Sequence, residues 1–86
     1  MKKITFAPHA FDDFDKWDVE HPKVFNRIKE LIRDIQQNPF KGIGKSEPLK
    51  HQYKGCWSRR ITEEHRLIYR VETAAIIIIS CKGHYQ

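Results

Sequence analysis

Residues 1–39 carry apolar side chains mainly at the spacing of α-helices. Ile4 and Phe6 alternate with polar neighbours and predict a short first strand. Apolar side chains then recur every three or four residues in two stretches, which predict a helix over about residues 8–19 and a second one that ends before Asn38-Pro39. Two successive amphipathic helices indicate a helical hairpin. Its apolar positions are Ala7, Ala10, Phe11, Phe14, Trp17, Val24, Phe25, Ile28, Leu31, Ile32 and Ile35.

The second half of the chain changes first to a loop and then to strands. Glycines, prolines and basic residues at 40–56 predict a loop with at most a short strand near 48–52. From residue 57 the period is two, which predicts strands over 57–62 and 65–71. The run 74–79 is apolar on both faces and predicts a central strand that the helices cover.

These elements predict an α+β fold in a single domain over residues 1–86. Short turns between the last strands require antiparallel pairing. We therefore expect a short N-terminal strand, a two-helix hairpin and then a three- or four-stranded, mainly antiparallel sheet with both helices on one face. Along 65–71, the set Leu67, Tyr69 and Val71 alternates with Arg66, Ile68 and Arg70. If the apolar set packs on the helices, the arginines project from the opposite face, where Arg60 could join them.

The positive charge of the chain is concentrated in one segment. The 86 residues have a formal net charge of +5, and the excess lies in residues 41–70, where eight basic residues face three acidic ones. Such a segment predicts attraction to a polyanion, either a nucleic acid or an acidic protein. A chain this short builds one modest core, which excludes large cofactor-binding architectures, and we expect no cofactor.

The sequence disfavours membrane and metal-binding functions. The longest apolar run is far shorter than the ~20 residues that span a bilayer, and no apolar signal segment follows Met1, so we expect a cytoplasmic protein. Cys56 and Cys81 form no CxxC motif and are predicted to be free thiols. His65 and His84 could add zinc ligands, but the paired spacing of a structural zinc site is missing, so we expect no metal. His65 is instead interpreted as a surface or capping group.

Several polar residues near the basic segment could perform RNA chemistry. Glu47 stands among basic neighbours, and a carboxylate there can act as a general base. His84 can deliver a proton, because histidine titrates near neutral pH. Arg66 and Arg60 would neutralise charge on a phosphate, and Tyr85 could stack on a base. The alternatives are that Glu47 is a loop acid paired with a lysine and that the last residues form an unstructured tail.

Three sequence motifs indicate a family. The chain resembles the YoeB/Txe toxins of the RelE/ParE superfamily at Gly44-Lys45-Ser46-Glu47-Pro48-Leu49-Lys50-His51, at residues 55–69 (GCWSRRITEEHRLIY) and at His84-Tyr85. The resemblance implies a RelE-like fold and a ribosome-dependent mRNA interferase, the toxin of a type II toxin-antitoxin pair. Such an enzyme cuts messenger RNA in the A site of the 70S ribosome and leaves a cyclic phosphate. The implied partners are a YefM-like antitoxin and a second copy of the chain.

The resemblance also assigns roles to single residues. The general base falls on Glu47, the phosphate-stabilising arginine on Arg66, the general acid on His84 and the substrate-orienting tyrosine on Tyr85. Lys50 and Arg60 match basic positions of the family that hold the RNA backbone. We further expect Lys45, His51 and Arg59, in the basic segment, to bind RNA. Two positions depart from the family pattern, since Ser46 stands where proline is usual and Gln86 extends the chain by one residue.

Two other functions compete with RNA cleavage. A ParE-like gyrase poison or another non-cleaving binding module would share the superfamily fold. A plain RNA-binding protein would show strong salt dependence without a cleavage product. A base and an acid on either side of an arginine disfavour both, because a protein that only binds has no use for them.

Overall fold

The computed structural model describes residues 1–83, in which one mixed sheet packs against two helices. The strands are β1 (Lys3–Phe6), β2 (Glu47–Pro48), β3 (Cys56–Arg60), β4 (Arg66–Val71) and β5 (Ala75–Ser80). The helices are α1 (Pro8–Glu20) and α2 (Pro22–Gln37), and a 3₁₀ turn covers His51–Tyr53. The strand order is β1-β5-β4-β3-β2, with β1 parallel to β5 and all other pairs antiparallel. The predicted α+β fold with a helical hairpin is confirmed.

The sheet is larger than the sequence indicated. It has five strands rather than three or four, because β1 joins it in parallel beside β5. Parallel neighbours need a long crossover connection, and the helical hairpin begins that connection. The short strand predicted near 48–52 is also misplaced, since β2 covers only Glu47–Pro48 and residues 51–53 form the 3₁₀ turn.

Prolines determine where the helices begin and end. Pro8 and Pro22 occupy the first helical positions, where a missing N–H donor costs nothing. His21 alone separates the two helices, so they fold back on each other directly. The second helix ends at Gln37 because Asn38, which precedes Pro39, has an extended backbone at ψ 103°.

The main core lies between the helices and one face of the sheet. It contains the apolar set of β4 and the predicted helical stripes, except for Phe11, which is 54% exposed. A smaller cluster of Leu49, Cys56 and Ile68 lies on the opposite face, against Tyr53 and Ile79. The two cysteines are buried in different clusters and are free thiols, as predicted. Within residues 1–83, no helix combines the length and the apolar character needed to cross a membrane.

Candidate active site

The register of the sheet brings Glu47, Arg60 and Arg66 to one face. Glu47 is paired with Ser58 across β2 and β3, and Arg60 is paired with Arg66 across β3 and β4. Directly paired residues share a face, and so do residues two apart on one strand. The Cα atoms of Glu47 and Arg66 lie two strands and two residues apart, which is roughly 12 Å from standard sheet spacings. This separation leaves room for a phosphate between the two side chains.

The side chain of Arg66 is fixed by the turn before β4. Its Nη1 donates to the carbonyl oxygens of Thr62 at 2.7 Å, His65 at 3.1 Å and Glu63 at 3.3 Å. The hydroxyl of Thr62 holds the same turn by accepting from the amides of Glu64 and His65. Within residues 1–83, Nε and Nη2 of Arg66 have no protein acceptor. They can therefore donate to an anionic ligand from a guanidinium that is already oriented.

Two further donors are buried without a protein partner in the described part of the chain. They are Nε of Arg60 and the hydroxyl of Ser46. Nη1 of Arg60 lies 3.9 Å from Oε1 of the exposed Glu63, which is too far for a strong ion pair. Buried donors are normally hydrogen-bonded, so Nε of Arg60, on the face that it shares with Arg66, is available to a polar ligand.

The chain beyond β5 returns to Arg66. The amide of Arg66 donates to the carbonyl of Gly83 at 2.8 Å, and the amide of Gly83 donates to Nδ1 of His65 at 2.8 Å. The last described residue thus lies directly beside the first residue of β4. The predicted general acid His84 and the predicted orienting residue Tyr85 lie outside the described residues.

Three of the predicted RNA-binding residues are exposed around β2. Lys45 precedes this strand, whereas Lys50 and His51 follow it. The left-handed backbone at Lys45 (φ 52°) and at His51 (φ 56°) turns the chain sharply on both sides of β2. Leu49 is buried in the small cluster and anchors the segment, so the basic side chains stand around a fixed strand.

The prediction that Arg59 contacts RNA is wrong. Arg59 lies on the helix-facing side of β3 and is 0% exposed. Its Nη1 donates to Oδ2 of Asp34 at 2.6 Å, and its Nε donates to the hydroxyl of Tyr69 at 3.1 Å. The remaining acceptors are the carbonyl oxygens of Asn38, Lys41 and Ile43. These five acceptors match the five N–H donors of a guanidinium, so none is left for a ligand.

The buried Arg59 organises the loop that leads into β2. The Tyr69 hydroxyl donates to the carbonyl of Pro39 at 2.6 Å, and Oδ2 of Asp34 accepts from the amide of Ile43 at 3.1 Å. Gly42 runs so close to this network that a Cβ there would lie 2.0 Å from Oδ2 of Asp34. The network was missed in the sequence, although Arg59 alternates with the apolar Trp57 and Ile61.

His65 was also misinterpreted as a surface or capping group. Its ring is half-buried and packs edge-on against Trp17, with 4.9 Å between ring centroids. The indole Nε1 of Trp17 donates in turn to the carbonyl of Cys81 at 3.0 Å. The signal in the sequence was the position of His65 in alternation with Leu67 and Tyr69, which puts it on the helix-facing side.

Thiol and metal chemistry find no support in residues 1–83. No group of three or more His, Cys, Asp or Glu residues could hold a metal ion there. Burial, helped by the negative charge of Asp13, raises the pKa of the Cys81 thiol to about 12. The thiol donates to the carbonyl of Ala10. A protonated, hydrogen-bonded thiol is neither a nucleophile nor a metal ligand.

Comparison with known proteins identifies the class to which this fold and site belong. Residues 6–85 match the family described as the YoeB-like toxin of bacterial type II toxin-antitoxin systems, and the chain belongs to this family. Toxin YoeB of Escherichia coli strain K12 is 45% identical over 83 residues, which are 96% of this chain and 99% of the relative. The family resemblance drawn from the sequence motifs is confirmed.

Solved structures of the family share the fold. One from Staphylococcus aureus, a YoeB-YefM complex, superposes with a TM-score of 0.90 at 44% identity and covers 99% of both chains. A YoeB dimer from the same organism superposes with a TM-score of 0.91 at 45% identity and covers 98% of both chains.

Proposed function

We propose that this chain is the toxin of a type II toxin-antitoxin pair and that it cleaves messenger RNA in the A site of the ribosome. The observation that carries the proposal is the common sheet face of Glu47, Arg60 and Arg66, with Gly83 hydrogen-bonded to Arg66. The charge distribution supports an RNA substrate, because the excess positive charge arises in residues 41–70, the segment that carries Glu47, Arg60 and Arg66.

The proposed reaction is an in-line transesterification. Glu47 takes the proton of the 2′-hydroxyl, and O2′ attacks the adjacent phosphorus. Arg66, with Arg60 and Lys50, stabilises the negative charge of the phosphorane. The bond from phosphorus to O5′ breaks, and His84, which follows Gly83 in the sequence, protonates the leaving oxygen. The products are a 2′,3′-cyclic phosphate and a 5′-hydroxyl, and Tyr85 orients the nucleotide.

The proposed partners follow from the family and from charge. The Staphylococcus aureus YoeB structures hold a YefM partner in one case and a YoeB dimer in the other, which supports a YefM-like antitoxin and a homodimer for this chain. An acidic antitoxin segment would compete with messenger RNA for the basic face that holds Arg60 and Arg66.

Replacement of the proposed base tests the reaction. We expect Glu47→Gln to lower the single-turnover rate of messenger cleavage on purified ribosomes by about 10²- to 10⁴-fold, because the amide cannot accept the proton. Glu47 is exposed and its substitution leaves the core intact. Glu20→Gln, an exposed carboxylate at the end of α1, is the matched control and should cleave at the wild-type rate.

Two outcomes would contradict the proposal. A Glu47→Gln rate within a factor of two of wild type would remove Glu47 from the reaction. Wild-type protein that arrests DNA replication without shortening messengers would favour the ParE-like alternative.

A further inference from the structure

Three hydrogen bonds hold residues 81–83 after the end of β5. The carbonyl of Cys81 accepts from Nε1 of Trp17, the amide of Gly83 donates to Nδ1 of His65, and the carbonyl of Gly83 accepts from the amide of Arg66. All three are between 2.8 and 3.0 Å long. The segment is therefore bound at both ends although it belongs to no strand.

His65 is the one side chain that bonds Gly83 in the described part of the protein, and it is itself held on several sides. Its backbone carbonyl accepts from the amides of Ile61 and Thr62, and its own amide donates to the hydroxyl of Thr62. Its ring lies edge-on to Trp17, which is 8% exposed. A ring with so little freedom can position whatever it binds.

The hydrogen bond from the amide of Gly83 requires Nδ1 of His65 to be an acceptor. An acceptor Nδ1 carries no proton, so the ring must be neutral with its proton on Nε2. Such a ring cannot donate a proton from Nδ1, and His65 is therefore suited to holding the segment rather than to acid catalysis.

We propose that His65 is a positioning residue that holds Gly83 beside Arg66, at the point in the sequence from which the chain continues to His84. This inference rests on the proposed function, in which His84 is the general acid. A general acid has to lie within hydrogen-bond reach of the leaving oxygen, and a misplacement of about 1 Å can cost ~10²-fold in rate. His65 and Arg66 bind the amide and the carbonyl of Gly83, so two neighbouring residues at the start of β4 hold the residue that precedes the proposed acid and also supply the phosphate-binding guanidinium.

Two substitutions of His65 distinguish the effect of its Nδ1 acceptor from the effect of the packing of its ring. His65→Leu removes Nδ1 but retains an apolar side chain against Trp17, whereas the carbonyl oxygen of His65→Asn can replace the acceptor. We expect His65→Leu to lower the single-turnover rate about 10- to 100-fold, with KM for programmed ribosomes within about threefold, and His65→Asn to recover most of the loss. His21→Leu is the matched control, because His21 also packs edge-on against Trp17 but bonds no part of residues 81–83.

Hydrogen exchange tests the same contact without any cleavage assay. The Gly83 amide should exchange at least about tenfold faster in His65→Leu than in wild type, and at the wild-type rate in His21→Leu, because only the former loses the acceptor. In the wild-type protein, ¹⁵N spectra should show His65 with an unprotonated Nδ1. This measurement needs no variant and remains decisive if His65→Leu fails to fold.

The outcomes distinguish the two proposals. Wild-type cleavage by His65→Leu, an unchanged Gly83 exchange rate or a protonated Nδ1 would each overturn the role of His65. Absence of cleavage by the wild-type protein would overturn the proposed function, while the exchange and ¹⁵N results would still decide whether His65 holds Gly83.

Discussion

Arg59 and Arg60 are adjacent in sequence and lie on opposite faces of the sheet. Arg59 is fully buried, where an unpaired charge would cost several kcal/mol, and five acceptors, among them the carboxylate of Asp34, offset that cost. Arg60 is partly exposed, and its buried Nε has no partner within residues 1–83. The alternation of a strand thus gives one arginine a structural role and leaves the other available to a ligand.

Arg59→Lys should destabilise the protein. A lysine has three donors on one atom and cannot reach the five acceptors of the guanidinium, so the carboxylate of Asp34 and several loop carbonyls lose partners. We expect the free energy of unfolding to fall by about 3 kcal/mol, at the lower end for a broken buried pair because Asp34 keeps some contact with water. Urea denaturation measures the change. Arg70→Lys is the matched control, because Arg70 is an exposed arginine of β4. It should change the free energy of unfolding by less than about 0.5 kcal/mol.

The sequence could predict the face of Arg59 but not its partners. Its alternation with apolar neighbours put it on the helix-facing side, yet its charge suggested RNA because arginine is rarely buried. The acceptors come from α2, β4 and the loop after α2, which only the folded chain brings together. The same holds for His65, whose partner Gly83 is 18 residues away.

At the scale of elements, the loop between α2 and β2 positions the proposed base. Arg59 and Asp34 hold its first half, and the carbonyl of Gly44 accepts from the amide of Arg60. The loop therefore passes directly into β2 and Glu47 with little freedom. The helices were predictable from local periodicity and prolines, whereas a two-residue strand such as β2 is too short to show a period.

Gly44→Ala should distort this loop. Gly44 has φ 78°, and a Cβ there would lie 2.8 Å from Cδ2 of Leu31 and 3.0 Å from the backbone oxygen of Arg60. We expect a loss of about 2–4 kcal/mol in unfolding free energy, from backbone strain plus the clash. Gly55→Ala is the control, because Gly55 also has a positive φ, 95°, but an added Cβ would have no atom within 4 Å. It should lower the free energy of unfolding by only about 1–2 kcal/mol. Equal losses in urea denaturation would contradict the clash.

At the scale of the whole molecule, charge separates the two sides of the sheet. The basic segment, residues 41–70, carries Glu47, Arg60 and Arg66, whereas the two helices on the other face hold seven acidic and five basic residues. We therefore expect RNA to approach from the side away from the helices, and its affinity to fall as salt rises.

Lys50→Gln should weaken RNA binding in a salt-dependent way. Each lysine that contacts a phosphate releases counterions, so its loss should reduce the slope of log K against log salt by about 0.7 for single-stranded RNA. Equilibrium binding at several salt concentrations measures the slope. Lys16→Gln, an exposed lysine of α1, removes the same charge from the helix side and should leave the slope unchanged.

The position of β5 between β1 and β4 also has a consequence for synthesis and folding. Ribosomes make β1 first and β5 last among the described strands, yet β5 is the strand that joins β1 to the rest of the sheet. Until residues 75–80 have emerged, β1 has no neighbour to pair with, and residues 81–83 are not yet available to Arg66. We expect the nascent chain to remain without an assembled site until residues 75–83 have left the ribosome, and folding to be slowed by these distant contacts.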